Sequence, residues 1–185
     1  MDGINGIASV TGIAGFGLLA LFNHISGGPG ILTVLPVCIA LSCLGFLPFN
    51  FPTARVFMGD VGSILLGFVF ASLVVLISKS FSDFVSLAGF LFPFYADEFV
   101  TMAVRIKDGE NLLKPHRRHF YQLLANELGI PHWKVSAGYG LLQLIAGTGI
   151  LLLRPFGIIP VFAFLILFFL LFIFANYFVR IKLLI

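Results

Sequence analysis

Six long apolar stretches constrain this chain more than any other feature of its sequence. They predict membrane spans at residues 7–22, 30–49, 61–78, 84–104, 135–153 and 156–178. A helix needs about 17–25 apolar residues to cross the hydrocarbon core, and only the first, glycine-rich stretch is slightly shorter. Barrel strands would alternate apolar and polar residues, whereas these stretches are apolar throughout. The sequence therefore predicts an all-α, polytopic membrane protein of about six transmembrane helices, with residues 1–185 forming a single transmembrane domain.

The overall composition excludes several other classes of protein. Of the 185 residues, 59% are hydrophobic and 10% are charged, against about 45–50% apolar and about 25% charged in soluble domains. Disordered chains are poor in apolar residues, so disorder is excluded as well. The net charge of +3 is too small and too scattered for a nucleic-acid-binding protein. Cys38 and Cys43 lie in one apolar stretch, and we expect them to be small buried hydrophobic residues.

The basic residues are distributed unequally between the two sides of the predicted spans. Six crossings place the N-terminus, residues 50–60, residues 105–134 and the C-terminus on one side. That side holds nine of the eleven Lys and Arg residues, namely Arg55, Arg105, Lys107, Lys114, Arg117, Arg118, Lys134, Arg180 and Lys182. The other two are Lys79 and Arg154. Because Lys and Arg are enriched in cytoplasmic loops, we expect the polar loops, including the His/Arg loop at 105–134, to be cytoplasmic.

The segment MDGINGIA at residues 1–8 places polar side chains just before the first span. Asp2 and Asn5 are three residues apart and would share one face of a helix. Both residue types also cap helix N-termini, so a structural role is an open alternative. Asp2 and Asn5 are therefore either members of a cytoplasmic site or the cap of the first helix.

The segment FMGDVGS at residues 57–63 places Asp60 between two glycines at the start of the third span. Glycine lets the backbone approach a ligand closely, and a helix N-terminus attracts phosphate. Mg²⁺ is commonly held by one or two carboxylates together with substrate phosphates. The segment favours a magnesium–phosphate site on Asp60, with a helix cap and tight turn as the alternative.

The segment HRRH places His116, Arg117, Arg118 and His119 together in the longest polar loop. Arginine grips phosphate with a bidentate fork, and histidine can donate a hydrogen bond or carry a proton. Zinc is a weak alternative, because no Cys or third ligand is near in the sequence. A basic patch facing anionic lipid head groups is the other alternative.

Two acidic residues interrupt the fourth apolar stretch. A charge inside a membrane segment is costly and indicates either function or pairing. Asp97, Thr101 and Arg105 repeat every four residues, so Asp97 and Arg105 share a helix face. A structural pair and a role in the site both remain open for Asp97, and the role of Glu98 is also open.

Taken together, these segments resemble the polyprenyl-phosphate N-acetylhexosamine-1-phosphate transferases, known as glycosyltransferase family 4. MDGINGIA resembles the Asp-Gly-Ile-Asp-Gly segment of that family. NFPTARVFMGDVGS at residues 50–63 is close to its most specific motif, and residues 97–124 resemble its histidine-containing loop. HRRH followed by Phe-Tyr-Gln-Leu is more similar to the branch that initiates O-antigen than to the muropeptide branch.

The resemblance implies a reaction and the residues that carry it. Members transfer a sugar-1-phosphate from a UDP-sugar to undecaprenyl phosphate in the bacterial inner membrane, releasing UMP, with Mg²⁺ as cofactor. By position, Asp60 would be catalytic and bind the metal, and Asp2 would belong to the catalytic acidic cluster. The predicted substrate-binding residues are Asn5, His116, Arg117, Arg118 and His119. The implied pathway is cell-envelope polysaccharide or lipopolysaccharide synthesis.

Two departures from the family pattern qualify these expectations. Asn5 stands where many members have a second Asp, which weakens a carboxylate role there. Members also carry further spans and an Asp–Asp pair ahead of the first motif, and this sequence has no such pair. We therefore expect the chain to be the C-terminal portion of a larger fold, inactive alone, and to associate with a missing N-terminal half or with itself. The alternative function is a non-catalytic transporter or scaffold.

Overall fold

All regular secondary structure in the described residues is helical. The computed structural model describes residues 3–114 and 116–183. Its helices are α1 (Ile7–Ile25), α2 (Ile31–Asn50), α3 (Gly59–Ile77), α4 (Phe81–Ala88), α5 (Phe92–Lys107), α6 (Phe120–Gln122), α7 (His132–Leu153) and α8 (Ile158–Leu183). Short turns of 3₁₀ helix (Gly89–Leu91 and Arg154–Phe156) join α4 to α5 and α7 to α8, and one π-helical turn (Leu123–Glu127) extends α6.

The six predicted spans are confirmed as helices in the described part of the chain. Six helical segments are long and apolar enough to cross a membrane, and α4 and α5 together make the fourth of them. The fourth span begins at Phe81, three residues before the predicted start. Ser80 accepts a hydrogen bond from the backbone N–H of Asp83 and caps this helix. The architecture is therefore that of an all-α, multi-pass membrane protein.

The first span, which is the shortest in the prediction, is the most enclosed of the six. Over an 18-residue apolar stretch of each helix, 72% of the residues are buried in α1, against 11% in α2 and 17% in α8. Its neighbours approach closely because glycines face them. A Cβ on Gly12 would lie 2.7 Å from Cys43 Sγ, and one on Gly140 of α7 would lie 2.3 Å from Val10. Small residues of this kind let helix backbones pack closely in lipid.

The two cysteines differ from the expectation that both are buried. Cys43 is buried against α1, but Cys38 lies on the exposed face of α2. The difference follows from the position of α2, which contacts the rest of the bundle along one narrow face and leaves most of its surface open. Burying a small apolar residue of a membrane span inside the protein gains little hydrophobic free energy, because lipid is itself an apolar solvent.

Replacing Gly140 with Leu is expected to destabilise the protein by about 1–3 kcal/mol, because the new side chain forces α1 and α7 apart. Gly138 is the matched control, since it lies on the same helix and a Cβ there would meet nothing within 4 Å. Thermal unfolding of the two variants in detergent measures the difference. Equal unfolding temperatures for Gly140→Leu and Gly138→Leu would contradict the close packing of these helices.

The polar segments gather at one end of the bundle, as the number of spans predicts. At this end, Asn5 contacts Pro52 and His132, and Arg180 of α8 contacts the backbone of Arg118. We call it the site end. The opposite end has its own cluster, in which the Arg154 guanidinium donates to Asp83, to Ser26 and lies over a phenylalanine ring.

Candidate functional site

The turn before α1 connects two other segments of the site end. The Asn5 backbone N–H lies 3.4 Å from His132 Nδ1, and its carbonyl accepts a hydrogen bond from Ser136 Oγ at 2.7 Å. The Asn5 side-chain amide donates to the carbonyl of Pro52 at 3.4 Å. Asn5 therefore lies between the start of α7 and the loop that precedes Asp60, and both its backbone N–H and its backbone carbonyl have partners.

The same turn fixes the loop between α2 and α3. Gly6 has a φ of 80°, and its N–H donates to Asn50 Oδ1 at 2.6 Å. The Asn50 amide in turn donates to the carbonyl of Val56 at 2.7 Å. A Cβ on Gly6 would also lie 2.6 Å from the ring of Phe51. Glycine is required here by both the positive φ and the close ring.

Asp60 lies in the first turn of α3, and its side chain is exposed at the site end. Its backbone carbonyl accepts a hydrogen bond from Ser63 Oγ at 3.4 Å. Its carboxylate makes no hydrogen bond or ion pair with any residue that the structure describes, so the carboxylate oxygens are open to a ligand. The described residues contain no group of three His, Cys, Asp or Glu side chains that could hold a metal. One open carboxylate nevertheless fits Mg²⁺, which takes its other ligands from water and substrate phosphate. Asp2 lies outside the described residues.

The loop after α5 is organised by a buried arginine. The guanidinium of Arg105 donates to Glu110 Oε2 at 3.0 Å, to the Asn111 carbonyl at 2.7 Å and to the Lys114 carbonyl at 3.0 Å. Arg105 thus bonds to Glu110 and not to Asp97, which corrects the structural pair that the four-residue spacing suggests. Hydrogen bonds from Arg105 hold the pKa of Glu110 below its ordinary value, with a further contribution from Arg118.

Asp97 connects three helices from within the bundle. Its carboxylate accepts hydrogen bonds from the Tyr139 hydroxyl at 2.8 Å, from the Phe120 backbone N–H at 2.8 Å and from the Thr101 hydroxyl at 3.1 Å. Asp97 is 1% exposed, so the three donors satisfy a charge that water does not reach. The carboxylate therefore ties α5 to α6 and α7. The sequence analysis does not predict Tyr139 as a partner of Asp97. The available signal was a tyrosine hydroxyl inside an apolar span, which needs a hydrogen-bond partner.

His119 lies between two carboxylates at the start of α6. Its Nδ1 is 3.6 Å from Asp97 Oδ1, and its Nε2 is 3.7 Å from Glu98 Oε2. The imidazole stacks on the ring of Tyr121, with centroids 5.4 Å apart and the planes 5° from parallel. The His116 ring is 4.7 Å away, between centroids. The two histidines of HRRH thus lie in one cluster.

The two arginines of HRRH have different surroundings. Arg118 forms ion pairs with Asp108 at 2.7 Å and with Glu110, and its carbonyl accepts a hydrogen bond from Arg180 at 2.8 Å. Arg117 is exposed and makes no ion pair with the described residues. Arg118 therefore stabilises the fold of the loop, whereas the fork of Arg117 is open to an external anion.

The surroundings of His116 oppose its protonation. Partial burial lowers the pKa of its imidazole, with further contributions from the nearby His119 and Arg105. The Arg118 backbone N–H also lies 3.4 Å from His116 Nδ1, an arrangement that suits a neutral ring with an acceptor there. At neutral pH His116 is therefore an uncharged side chain that can donate from Nε2.

We expect the His116 imidazole to titrate below the ordinary histidine pKa of about 6.5. Because folding lowers this pKa, the contribution of His116 to stability is present above pH ~6.5 and is lost as the pH falls through the pKa of the folded state. Histidine ring resonances in an NMR titration in detergent measure it. His119→Gln should raise the His116 pKa by removing one of the smaller contributions, and an unchanged or lower value in that variant would contradict the contribution of His119.

The three motif segments meet at the site end. The backbone of Gly3 lies against the start of α6, since a Cβ there would be 2.8 Å from the Tyr121 hydroxyl and 2.9 Å from Gln122 Nε2. Asn5, two residues later, contacts the loop before α3. The N-terminal turn is thus inserted between the histidine loop and the loop that leads to Asp60. No hydrogen bond or ion pair joins Asp60 to a histidine among the described residues.

Comparison with known proteins gives two matches. Residues 1–78 match a family model described as glycosyl transferase family 4. The chain is 30% identical over 153 residues to the phospho-N-acetylmuramoyl-pentapeptide-transferase of Staphylococcus epidermidis, and 30% identical over 149 residues to that of Staphylococcus aureus. Each alignment covers 79% of this chain and 44% of the relative. No solved structure matches the chain significantly.

These matches support the family and leave its branch open. The chain spans less than half the length of the curated relatives that it matches. The family model covers the first two motifs, and alignments over 79% of the chain extend well beyond residue 78. The relatives are named for a muramoyl-pentapeptide substrate, so the similarity to the O-antigen branch stays a prediction.

Proposed function

We propose that this chain forms the catalytic face of a membrane phospho-sugar transferase. The reaction moves an N-acetylhexosamine-1-phosphate from a UDP-sugar to undecaprenyl phosphate. An oxygen of the lipid phosphate attacks the β-phosphorus of the donor, and a new phosphorus–oxygen bond forms. The bond from that phosphorus to the bridging oxygen breaks, and UMP leaves with the bridging oxygen and the electron pair. The product is a polyprenyl-diphospho-sugar for a cell-envelope polysaccharide of the O-antigen type.

One observation carries the proposal: the three motif segments converge at the same end of the bundle. A turn of residues 3–6 touches Tyr121 beside the histidines on one side and Pro52 before Asp60 on the other. A carboxylate for a metal and a cluster of His and Arg for a diphosphate therefore share a single membrane face. A lipid phosphate lies at the same depth, because its tail occupies the bilayer. Such a face suits an interfacial enzyme better than a transporter, whose charged groups lie near the midplane.

The chain's own residues have separable roles in this proposal. Arg117 contributes a bidentate fork to the donor diphosphate, and neutral His116 donates a hydrogen bond to it. Arg118 holds the loop in place through Asp108 and Glu110, so its effect on substrate binding is indirect. Asp60 holds Mg²⁺ at the N-terminus of α3, whose dipole also favours phosphate. When bound, the metal neutralises charge on the phosphates, and the chain aligns them for in-line displacement.

The proposal places the site end in the cytoplasm, where UDP-sugars are found. Leu113 of the site-end loop is 93% exposed, so a cysteine there is reachable by a labelling reagent. In a variant without Cys38 and Cys43, we expect Leu113→Cys to resist a membrane-impermeant maleimide in spheroplasts and to react after lysis. Lys79→Cys at the opposite end is the control and should react in both preparations. Efficient labelling of Leu113→Cys before lysis would place the loop outside.

The direct test of the function has two parts. UMP release is measured in membranes of cells that express the chain from its own locus, with several UDP-sugars, undecaprenyl phosphate and Mg²⁺. Binding of UDP to the purified chain is measured with and without Mg²⁺. We expect Mg²⁺-dependent release and binding, both weakened by Arg117→Lys, because lysine lacks the bidentate fork. If Arg117 faces only lipid head groups, Arg117→Lys will be almost silent. Absence of release and of binding would overturn the proposal.

A further inference from the structure

The last span, α8, brings two buried polar side chains to the site end. Most of its surface faces outward, and its buried side chains are spaced by four or seven residues, so they lie along one helix face. They are Val161, Leu165, Phe172, Asn176 and Arg180. Asn176 and Arg180 lie at the end of this face nearest the histidine loop, and the proposed reaction gives neither of them a role.

The guanidinium of Arg180 is buried without an acidic partner among the described residues. Arg180 is 6% exposed, and its Nη1 has no hydrogen-bond partner in the part of the chain that the structure describes. Its Nε donates to Asn176 Oδ1 at 2.6 Å, and its Nη2 donates to the Arg118 carbonyl at 2.8 Å. A buried charge without a counter-charge is costly to stability, and a charge on a membrane span indicates either pairing or function. The contact that needs an explanation is therefore the one to Arg118.

The bond from Arg180 fixes the peptide unit that leads into His119. The Arg118 carbonyl and the His119 N–H belong to the same planar unit, so a donor on that carbonyl sets the orientation of both. On the other side of His119, the backbone N–H of Phe120 donates to the Asp97 carboxylate at 2.8 Å. Hydrogen bonds to charged groups are stronger than neutral ones. His119 is thus held between two buried charged residues from different spans.

Two further contacts give α8 the main part in holding this segment. Thr101 Oγ1 also lies 3.5 Å from the Arg118 carbonyl, but a hydroxyl has one proton, and the Asp97 carboxylate is closer at 3.1 Å. Arg180 is therefore the principal donor to that carbonyl. On the same face of α8, the ring of Phe172 packs edge-on against Phe120, with centroids 5.3 Å apart.

We propose that Arg180 is a positioning residue, which holds His119 and the adjoining histidine loop in the orientation that the reaction uses. The inference rests on the proposed function and adds to it a residue of the last span, outside the segment 1–78 that the family model matches. Because the guanidinium is buried, it acts on the substrate only through the Arg118 carbonyl. A displacement of about 1 Å in a site can cost about 10²-fold in rate, so loss of this one bond should be visible in turnover.

The test compares Arg180→Met and Arg180→Lys with the matched control Lys182→Met, because Lys182 is an exposed basic residue on the same helix. UMP release from UDP-N-acetylglucosamine is measured in membranes that carry the full chain, with undecaprenyl phosphate and Mg²⁺. We expect Arg180→Met to lower kcat about 10–10²-fold and Lys182→Met to leave it unchanged. Lysine still offers a donor to the carbonyl, so Arg180→Lys should recover kcat to within about fivefold of the parent. The unfolding temperature of Arg180→Met in detergent should not fall, because methionine removes a buried charge that lacks a counter-charge.

A second measurement needs no activity. In NMR spectra of the purified chain without substrate, the His119 ring signals are assigned by their loss in His119→Gln. They should shift in Arg180→Met, return towards the parent in Arg180→Lys and stay unchanged in Lys182→Met. Unmoved His119 signals in Arg180→Met, or a kcat that falls only together with the unfolding temperature, would overturn the positioning role and leave the proposed function standing. If the parent itself releases no UMP, the proposed function fails and the positioning role falls with it.

Discussion

Replacing Asp60 with Asn is expected to lower the rate of UMP release by about 10²–10³-fold. Asn keeps the size of the side chain but removes the charge that would hold Mg²⁺, and losing one preorganised contact to the developing charge costs about this much. The Asp60 carboxylate has no partner among the described residues and is exposed, so the substitution should not disturb folding. The rate is measured in membranes that carry the variant at its own locus, with both substrates saturating.

The magnesium dependence separates a metal ligand from a charge that only stabilises the helix. If Asp60 binds the metal, the variant should need more Mg²⁺ to reach half of its own maximal rate. If the charge only interacts favourably with the dipole of α3, the unfolding temperature should fall slightly and the magnesium requirement should stay the same. Glu127→Gln is the control for loss of an exposed charge at the same end. A rate within about twofold of the parent at limiting Mg²⁺ would remove Asp60 from the catalytic set.

The spans could be predicted because the bilayer imposes a length and a polarity on each of them. Their arrangement could not be predicted in the same way. α1 is the most enclosed helix because Gly12 faces Cys43 and Gly140 faces Val10, and both pairs are distant in the sequence. A glycine-rich span indicates close packing. Which helices pack against it depends on the shapes of all the helix surfaces in the folded bundle, which the sequence of one span does not show.

In the site, too, the sequence predicts that a residue needs a partner but does not identify that partner. A carboxylate in an apolar span predicts a partner, and the four-residue repeat suggests Arg105. In the structure the chain turns at Gly109, whose φ is 70°, and Glu110 returns to the end of α5 to bond to Arg105. Asp97 instead accepts from Tyr139, which lies 42 residues away. Helical spacing is local information, and both actual pairs depend on turns of the chain.

The HRRH motif shows that neighbouring residues of the same type can have different roles. From the sequence, Arg117 and Arg118 are equally good candidates to bind phosphate. The structure distinguishes them, because Asp108 and Glu110 from the same loop engage Arg118 and leave Arg117 exposed. The acids lie eight and ten residues before Arg118, and only the folded loop brings them to it.

Replacing Asp97 with Ala is expected to reduce the free energy of unfolding by about 2–6 kcal/mol. The substitution leaves two buried donors, the Tyr139 hydroxyl and the Phe120 N–H, without an acceptor, and each stranded donor costs about 1–3 kcal/mol. The Thr101 hydroxyl can turn to a backbone carbonyl of its own helix and adds little. Unfolding by SDS in mixed micelles can be followed by the fluorescence of Trp133, the single tryptophan.

A double-mutant cycle identifies the cause of that loss. In a Tyr139→Phe background only the Phe120 N–H remains to be stranded, so Asp97→Ala should cost about 1–3 kcal/mol less than it does in the parent. Glu98→Ala, at the exposed neighbouring position, should stay within about 0.5 kcal/mol. Equal losses in the two backgrounds would show that Asp97 and Tyr139 do not depend on each other.

The coupling between Asp97 and Tyr139 matters for function. The carboxylate that accepts from Tyr139 of α7 also accepts from the backbone N–H of Phe120, the first residue of α6, and lies 3.6 Å from His119. Loss of Asp97 should therefore release the histidine loop together with the helix packing.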